Sequence, residues 1–191
     1  MESYATTRFS IELIKEEHLE HLLHYATVEE LWIYSTIKIS NASDFKKYFN
    51  QALRMSKQTT QNAFVVYDNL QKKYVGMTRL YAFDSKNSST KLGFSWYDPQ
   101  LQGSGINAHI KYLMLRLAFE KFGMNRVELN ADLRNKRSIA AMRKIGFVEE
   151  GILRQALTLP DGHKRDTIVF SLLKEEWPTI KMNLKVKIFN I

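Results

Sequence analysis

The sequence predicts a mixed α/β fold in which helices pack on a largely antiparallel sheet. Three observations point there. Asn62–Tyr67, Tyr74–Ala82 and Thr90–Tyr97 are strand-like runs separated by short polar loops, the pattern of an antiparallel meander. The stripe Ile106, Ile110, Leu113, Met114, Leu117 then gives a long helix directly after the third strand. Beyond it strands and helices alternate and close in a hairpin, so the full order is β-α-α-β-β-β-α-β-α-β-β.

In chain order, Arg8–Ile14 alternates Phe9, Ile11 and Leu13 with polar residues and reads as a half-buried strand. A helix follows on Leu19, Leu22, Leu23 and Ala26. Ser43 is placed to cap a second helix to about Lys57, burying Phe45, Phe49 and Leu53. The three meander strands come next, then the long helix, which stops at Phe122-Gly123. Val127–Ala131 is a short strand, and Asn135 opens a helix that buries Ile139, Met142 and Ile145 and stops at Gly146. Phe147–Leu159 and His163–Leu172 flank the turn Pro160-Asp161-Gly162. The tail Lys181–Ile191 alternates weakly, as an extra strand or a frayed end would.

The chain has 191 residues, 45% hydrophobic and 25% charged, an ordinary globular balance. No Pro/Gly/Ser-rich linker or repeat divides it, so residues 1–191 read as one domain. It contains no Cys, which excludes disulfides, thiolate metal sites and thiol nucleophiles, and fits a reducing, cytoplasmic setting. The longest apolar run, Ala63–Tyr67, is too short to span a bilayer, and Met1–Leu13 lacks a signal-peptide core. Lys and Arg exceed Asp and Glu by 28 − 20 = +8, which points to an anionic partner without naming it.

Gly103-Ser-Gly105, between a strand end at Tyr97 and a helix start at Ile106, names an anion more closely. Glycines let a ligand approach the backbone, and unpaired amides at a helix start attract phosphate. A plain strand-to-helix turn is the alternative. There is no Walker loop. Gly103-Ser-Gly105-Ile-Asn-Ala108 matches the dinucleotide pattern literally, but it follows a meander strand rather than opening a parallel βαβ unit, which leaves an NAD(P)-binding oxidoreductase as a remote alternative.

Gln100-Leu-Gln-Gly103-Ser-Gly105 resembles the Gln/Arg-x-x-Gly-x-Gly/Ala acyl-CoA signature of the GNAT superfamily of N-acetyltransferases. Asn130–Gly151, with Asn-x-x-Ser at a helix start and Gly-Phe after it, is similar to the second half of its RimJ/RimL-type branch, and Leu153–Leu173 to that branch's closing hairpin. The resemblance is strong from about Val75 to Trp177 and weak before it. It implies a central mixed sheet splayed between its fourth and fifth strands, here Thr90–Tyr97 and Val127–Ala131, with acetyl-CoA in the gap. Pantetheine would meet the backbone near Trp96 and Tyr97, and pyrophosphate the amides of Gln102, Gly103, Ser104, Gly105 and Ile106. Asn135 would reach the pantetheine arm, or else serve only as a helix cap.

Acetylating an amine requires a neutral nitrogen, a donor for the tetrahedral oxyanion and help for the leaving thiolate. Where many relatives place a sulfur-side Tyr, this chain has Met142, which cannot donate a proton. The resemblance assigns that part to Ser138, whose alternative is to bond backbone in the first helical turn. No general base stands out. Asp132, Glu150, Asp166 and Tyr97 lie near the motifs, while Leu157 occupies the position where some relatives have a Glu. Positioning and a water chain suffice without one strong base.

Trp32 and Tyr34 fall where the resemblance puts a wall of the acceptor slot, though core packing explains aromatic residues equally well. His18, His21 and His24 read as a solvated face rather than a metal site. Arg134, Lys136, Arg137, Arg143 and Lys144 suit either CoA phosphates or solvent. The resulting expectation is an acetyl-CoA-dependent, metal-free N-acetyltransferase acting on a primary amine, first a protein α-amino group. A small-molecule amine and a non-catalytic acyl-CoA-binding module are the alternatives. DNA and membrane partners are not expected, and RNA binding is supported by no motif.

Overall fold

The computed structural model describes residues 4–189. Its sheet has eight strands: β1 (Tyr4–Ala5), β2 (Phe9–Leu13), β3 (Gln61–Asp68), β4 (Lys73–Asp84), β5 (Ser89–Tyr97), β6 (Arg126–Asp132), β7 (Val148–Thr158) and β8 (Lys164–Leu173). Their order across the sheet is β1-β2-β3-β4-β5-β6-β8-β7. Neighbours run antiparallel except β5 and β6, which are parallel. The expected fourth and fifth strands are β5 and β6 here, because the two-residue β1 precedes them.

The helices are α1 (His18–Leu22), α2 (Ala42–Lys57), α3 (Ile106–Arg116), α4 (Lys136–Ile145) and α5 (Trp177–Phe189). Short 3-10 turns extend α1 to Thr27, and a π-type stretch carries α3 on to Lys121. The cap of α2 is Asn41 rather than Ser43: its Oδ1 accepts from the Asp44 amide at 3.0 Å while the Asp44 carboxylate accepts from the Ser40 amide. The tail is neither a strand nor frayed through residue 189. Trp177, Leu184 and Ile188 recur at helical spacing and are buried, although Met182 and Val186 between them stay exposed. Asn190 and Ile191 lie outside the described residues, as do Met1, Glu2 and Ser3 of the N-terminal segment.

Strand alternation divides the core between the two faces. Phe9, Phe64, Leu80 and Phe170 meet Ile110, Leu113, Ile139 and Met142 on the face covered by α3 and α4. Ala63, Val65, Met77 and Trp96 meet Leu22, Phe45, Phe49 and Leu53 on the face covered by α1 and α2. His18 belongs to this packing. It is only 1% exposed, its Nδ1 accepts from the Lys15 amide and its ring lies beside Tyr74, so it is not part of a solvated face.

Candidate active site

β5 and β6 pair only through Ser89↔Arg126, Thr90↔Val127 and Lys91↔Glu128. From Leu92 to Tyr97 the two strands diverge, and β5 backbone groups facing the gap have no ladder partner. A bulge sharpens the divergence: Met77 pairs with Trp96 and Arg79 with Gly93, so Thr78 faces two residues, Phe94 and Ser95. Phe94 takes φ 50°, a left-handed value that costs a non-glycine residue about 1–2 kcal/mol. On the other side β4 hugs β5 at Gly76, where a Cβ would collide with the Trp96 carbonyl.

The glycine turn stands at the mouth of this gap. Asp98 fixes its start, accepting from the Gln100 amide at 3.0 Å, from Tyr25 Oη at 2.9 Å and from Lys73 Nζ at 2.9 Å. Burial works to raise the Asp98 carboxyl, but these donors together hold it below the ordinary carboxylate value. Gly103 and Gly105 have φ 80° and 82°, and no atom lies within 4 Å of where a Cβ would stand on Gly103. The Gln102 and Ser104 amides donate within the turn, to Pro99 and Leu101. The Ile106 amide reaches only Ser104 Oγ at 3.4 Å. Among the described residues the amides of Gly103, Gly105 and Asn107 have no acceptor. A pyrophosphate therefore fits this concavity, held by fewer amides than the five anticipated.

Across the gap, Asn135 caps α4, its Oδ1 accepting from the Ser138 amide at 3.0 Å. That use occupies one face of the Asn135 side chain and leaves its Nδ2 donors free. Ser138 Oγ, half-buried, makes no hydrogen bond among the described residues, so the backbone-bonding alternative is not realised. Met142 is buried in the core and presents no proton.

The carboxylates weighed as bases are committed elsewhere. Asp132 receives the Arg134 amide at 2.9 Å and its guanidinium at 2.8 and 3.0 Å. Arg126 and Ser171 bind Glu150 and lower it to about 2. Asp166 accepts from the Gln155 amide at 2.7 Å. Burial pushes the Tyr97 phenol up, so it stays protonated.

Trp96 does not face the α3 side. Its indole N–H donates to Tyr48 Oη at 3.2 Å, and Trp32 stands edge-on to it with ring centroids 5.4 Å apart. Trp32 is half-buried and packs on this core. Tyr34 lies under the Arg134 guanidinium at 5.8 Å. Sequence reasoning passed over four residues here: Arg79, Arg165, Lys111 and the bulge residue Phe94. An arginine at the centre of the apolar β4 pattern was the available signal for the first of them. Lys111 reaches from α3 to Ser95 Oγ at 3.1 Å, and Ser95 Oγ lies 2.8 Å from Thr78 Oγ1.

Comparison with known proteins agrees with this geometry. The acetyltransferase (GNAT) domain model matches residues 8–148, reaching well before Val75, where the sequence resemblance is weak. A Bacillus subtilis (strain 168) protein named "Putative ribosomal N-acetyltransferase YdaF" is 35% identical over 102 residues, 53% of this chain. The match spans 55% of that relative, about half its length. A Bacillus licheniformis protein, the uncharacterized N-acetyltransferase p20, is 24% identical over 93% of this chain and 99% of its own. The crystal structure of a GCN5-related N-acetyltransferase from Brucella melitensis superposes with TM-score 0.88 at 23% identity, covering 97% of this chain and 84% of the other. At that identity it shows the fold.

Proposed function

The chain belongs to the GNAT acetyltransferase family, and from that premise we propose that residues 1–191 work as one domain that transfers acetyl from acetyl-CoA directly to a primary amine. The observation that carries this reading is the β5–β6 gap with unpaired glycine-turn amides at its mouth. Acetyl-CoA, when bound, supplies the activated acyl group. The free amides of Gly103, Gly105 and Asn107 and the weakly engaged Ile106 amide, with Gln102 and Ser104 shaping the turn, hold its pyrophosphate. The backbone around Trp96 and Tyr97, with Asn135 opposite, lines the pantetheine path.

Within that frame each group has a physical task. β5 amides freed by the splay donate to the developing oxyanion. Ser138 Oγ, unengaged by the protein, donates on the sulfur side. Since Asp132, Glu150 and Asp166 are bound in ion pairs or hydrogen bonds, the amine loses its proton through water while the slot holds it in place. No metal takes part. A protein α-amino group is the first choice of acceptor, supported by the name of the Bacillus subtilis relative. The absence of Cys supports a reducing cytoplasmic setting.

Incubation with acetyl-CoA and a panel of N-terminal peptides, amino acids and small amines, read by mass spectrometry and CoA release, tests the proposal. Acetylated peptide appearing with equimolar CoA is the expected result. Acetyl-CoA binding with no acetylated amine would instead favour the binding module that Met142, buried at the usual acid's position, suggests.

A further inference from the structure

We infer that the acceptor carries a carboxylate close to its reacting amine, and that Arg79 and Arg165 bind it on the α2 face of the splayed sheet. This inference rests on reading the gap as an acetyl-transfer site.

Arg79 stands on β4 opposite Ala63 and shares its face with α2. Its guanidinium is clamped between the Tyr48 ring at 4.4 Å and the Phe94 ring at 4.5 Å. Arg79 is 2% exposed, and its Nε and Nη2 are enclosed with no hydrogen-bond acceptor among the described residues. Arg165 stands on β8, where Ile168 and Phe170 face α3 and the alternate residues Arg165 and Thr167 face the other way. Arg165 is 7% exposed, and its Nε and the neighbouring Thr167 Oγ1 are also enclosed and unpartnered.

Tyr81 links the two. It follows Arg79 by two residues on the same face of β4, its ring packs edge-on against Phe94 at 5.0 Å, and its hydroxyl lies within the fields of Glu128 and of both arginines. Asp132 supports the Arg165 charge from nearby, but its hydrogen bonds go to Arg134, and Glu128 is held by Lys91 at 2.7 Å and by Asn130 at 3.0 Å.

A buried guanidinium without a counter-charge or acceptor is strongly unfavourable, and it cannot relieve the cost by losing a proton. Two buried guanidiniums with unpartnered N–H groups, on one face beside the gap where the amine must enter, leave donors for an anion. A carboxylate supplies two oxygens that match guanidinium geometry. A polyamine would bring like charge into the same space. Tyr48 and Phe94 stiffen the arginine, and Trp32 packs edge-on against Tyr48. The chemistry suits a free amino acid and equally a peptide end with an acidic residue next to its amine.

The test compares kcat/KM for matched acceptors: N-terminal peptides with Glu or Gln in second position, and free amino acids against their amides. Each acid should exceed its neutral partner by about tenfold or more, since the neutral group leaves buried donors unpaired. Peptide and amino-acid arms separate the two sources. Arg79→Met and Arg165→Met should bring the ratio towards one, and the Lys variants, which keep charge and lose the planar fork, should retain part of it. Binding of the N-acetylated product acid against its amide, followed by thermal shift, gives a readout that needs no turnover. Equal kcat/KM for acid and amide, or preference for a polyamine, would overturn the inference and leave acetyl transfer standing. If no amine is acetylated, that reading fails, and equal product binding by acid and amide would overturn the inference separately.

Discussion

The two places proposed for negative charge, the glycine turn and the arginine pair, are built differently. At the glycine turn the donors are backbone amides of Gly103, Gly105 and Asn107, freed because the turn and helix start cannot use them. Across the sheet the donors are the Arg79 side chain, clamped by aromatic rings, and the Arg165 side chain, both with N–H groups that have no acceptor among the described residues. A backbone site depends on conformation and tolerates changes of side chain so long as glycine remains. A side-chain site depends on charge and burial, and a single substitution removes it. The first suits an invariant cosubstrate, the second an acceptor to be selected.

The largest expected effect breaks the backbone site. Gly103→Val places a β-branched residue at φ 80°, where valine is strained, and fills space left open for a ligand. Acetyl-CoA affinity measured by calorimetry should fall at least roughly a hundredfold, several lost charge-assisted hydrogen bonds. Unaltered affinity would remove the turn from the cosubstrate site.

Gly76→Ala probes the strand geometry behind that site. Its Cβ would press on the Trp96 carbonyl, so β4 and β5 must separate, and denaturant unfolding should show a loss of about 1–3 kcal/mol. Wild-type stability would show that the sheet yields there at no cost.

Ser138→Ala leaves both anion sites intact and asks about the chemical step alone. Turnover should fall about tenfold, the low end for loss of one proton donor, while acetyl-CoA affinity holds. Unchanged kcat would return Ser138 to a structural part.

The smallest effect sharpens the contrast with a third buried cation. Lys111 is 4% exposed, and burial lowers it from 10.5 to about 8. Unlike the arginines it can shed its proton. The unfolded chain then binds more protons between those values, so folding stability gained from Lys111 rises as pH climbs from about 8 towards 10.5. Thermal melts of Lys111→Met against wild type should show wild type gaining on the variant over that window. A constant difference would mean that Lys111 keeps its ordinary proton.

Much of this was legible because it is local. The glycine turn, the Asn135 cap and the Ile106–Leu117 stripe each lie within a few residues, where spacing and turn chemistry speak directly. The α5 segment reads as a strand or a frayed end because Met182, Leu184, Val186 and Ile188 alternate with polar residues, while the helix's buried residues Trp177, Leu184 and Ile188 repeat at seven and four. Ser43 resembles the α2 cap because Asn41 and Ser40 compete for the same role two and three residues earlier. Arg79 and Arg165 are 86 positions apart (165 − 79) and come to share one face only through the sheet order β4-β5-β6-β8. No local pattern carries such a pairing, and neither does the overall +8, which counts neutralised and unneutralised cations alike.

Acetyl-CoA affinity, measured side by side in wild type, Gly103→Val and the double variant Arg79→Met, Arg165→Met, tests the division of labour most directly. The account predicts that Gly103→Val alone loses acetyl-CoA. Loss of acetyl-CoA in the arginine variant as well would contradict it, because the guanidinium groups would then serve the cosubstrate rather than the acceptor.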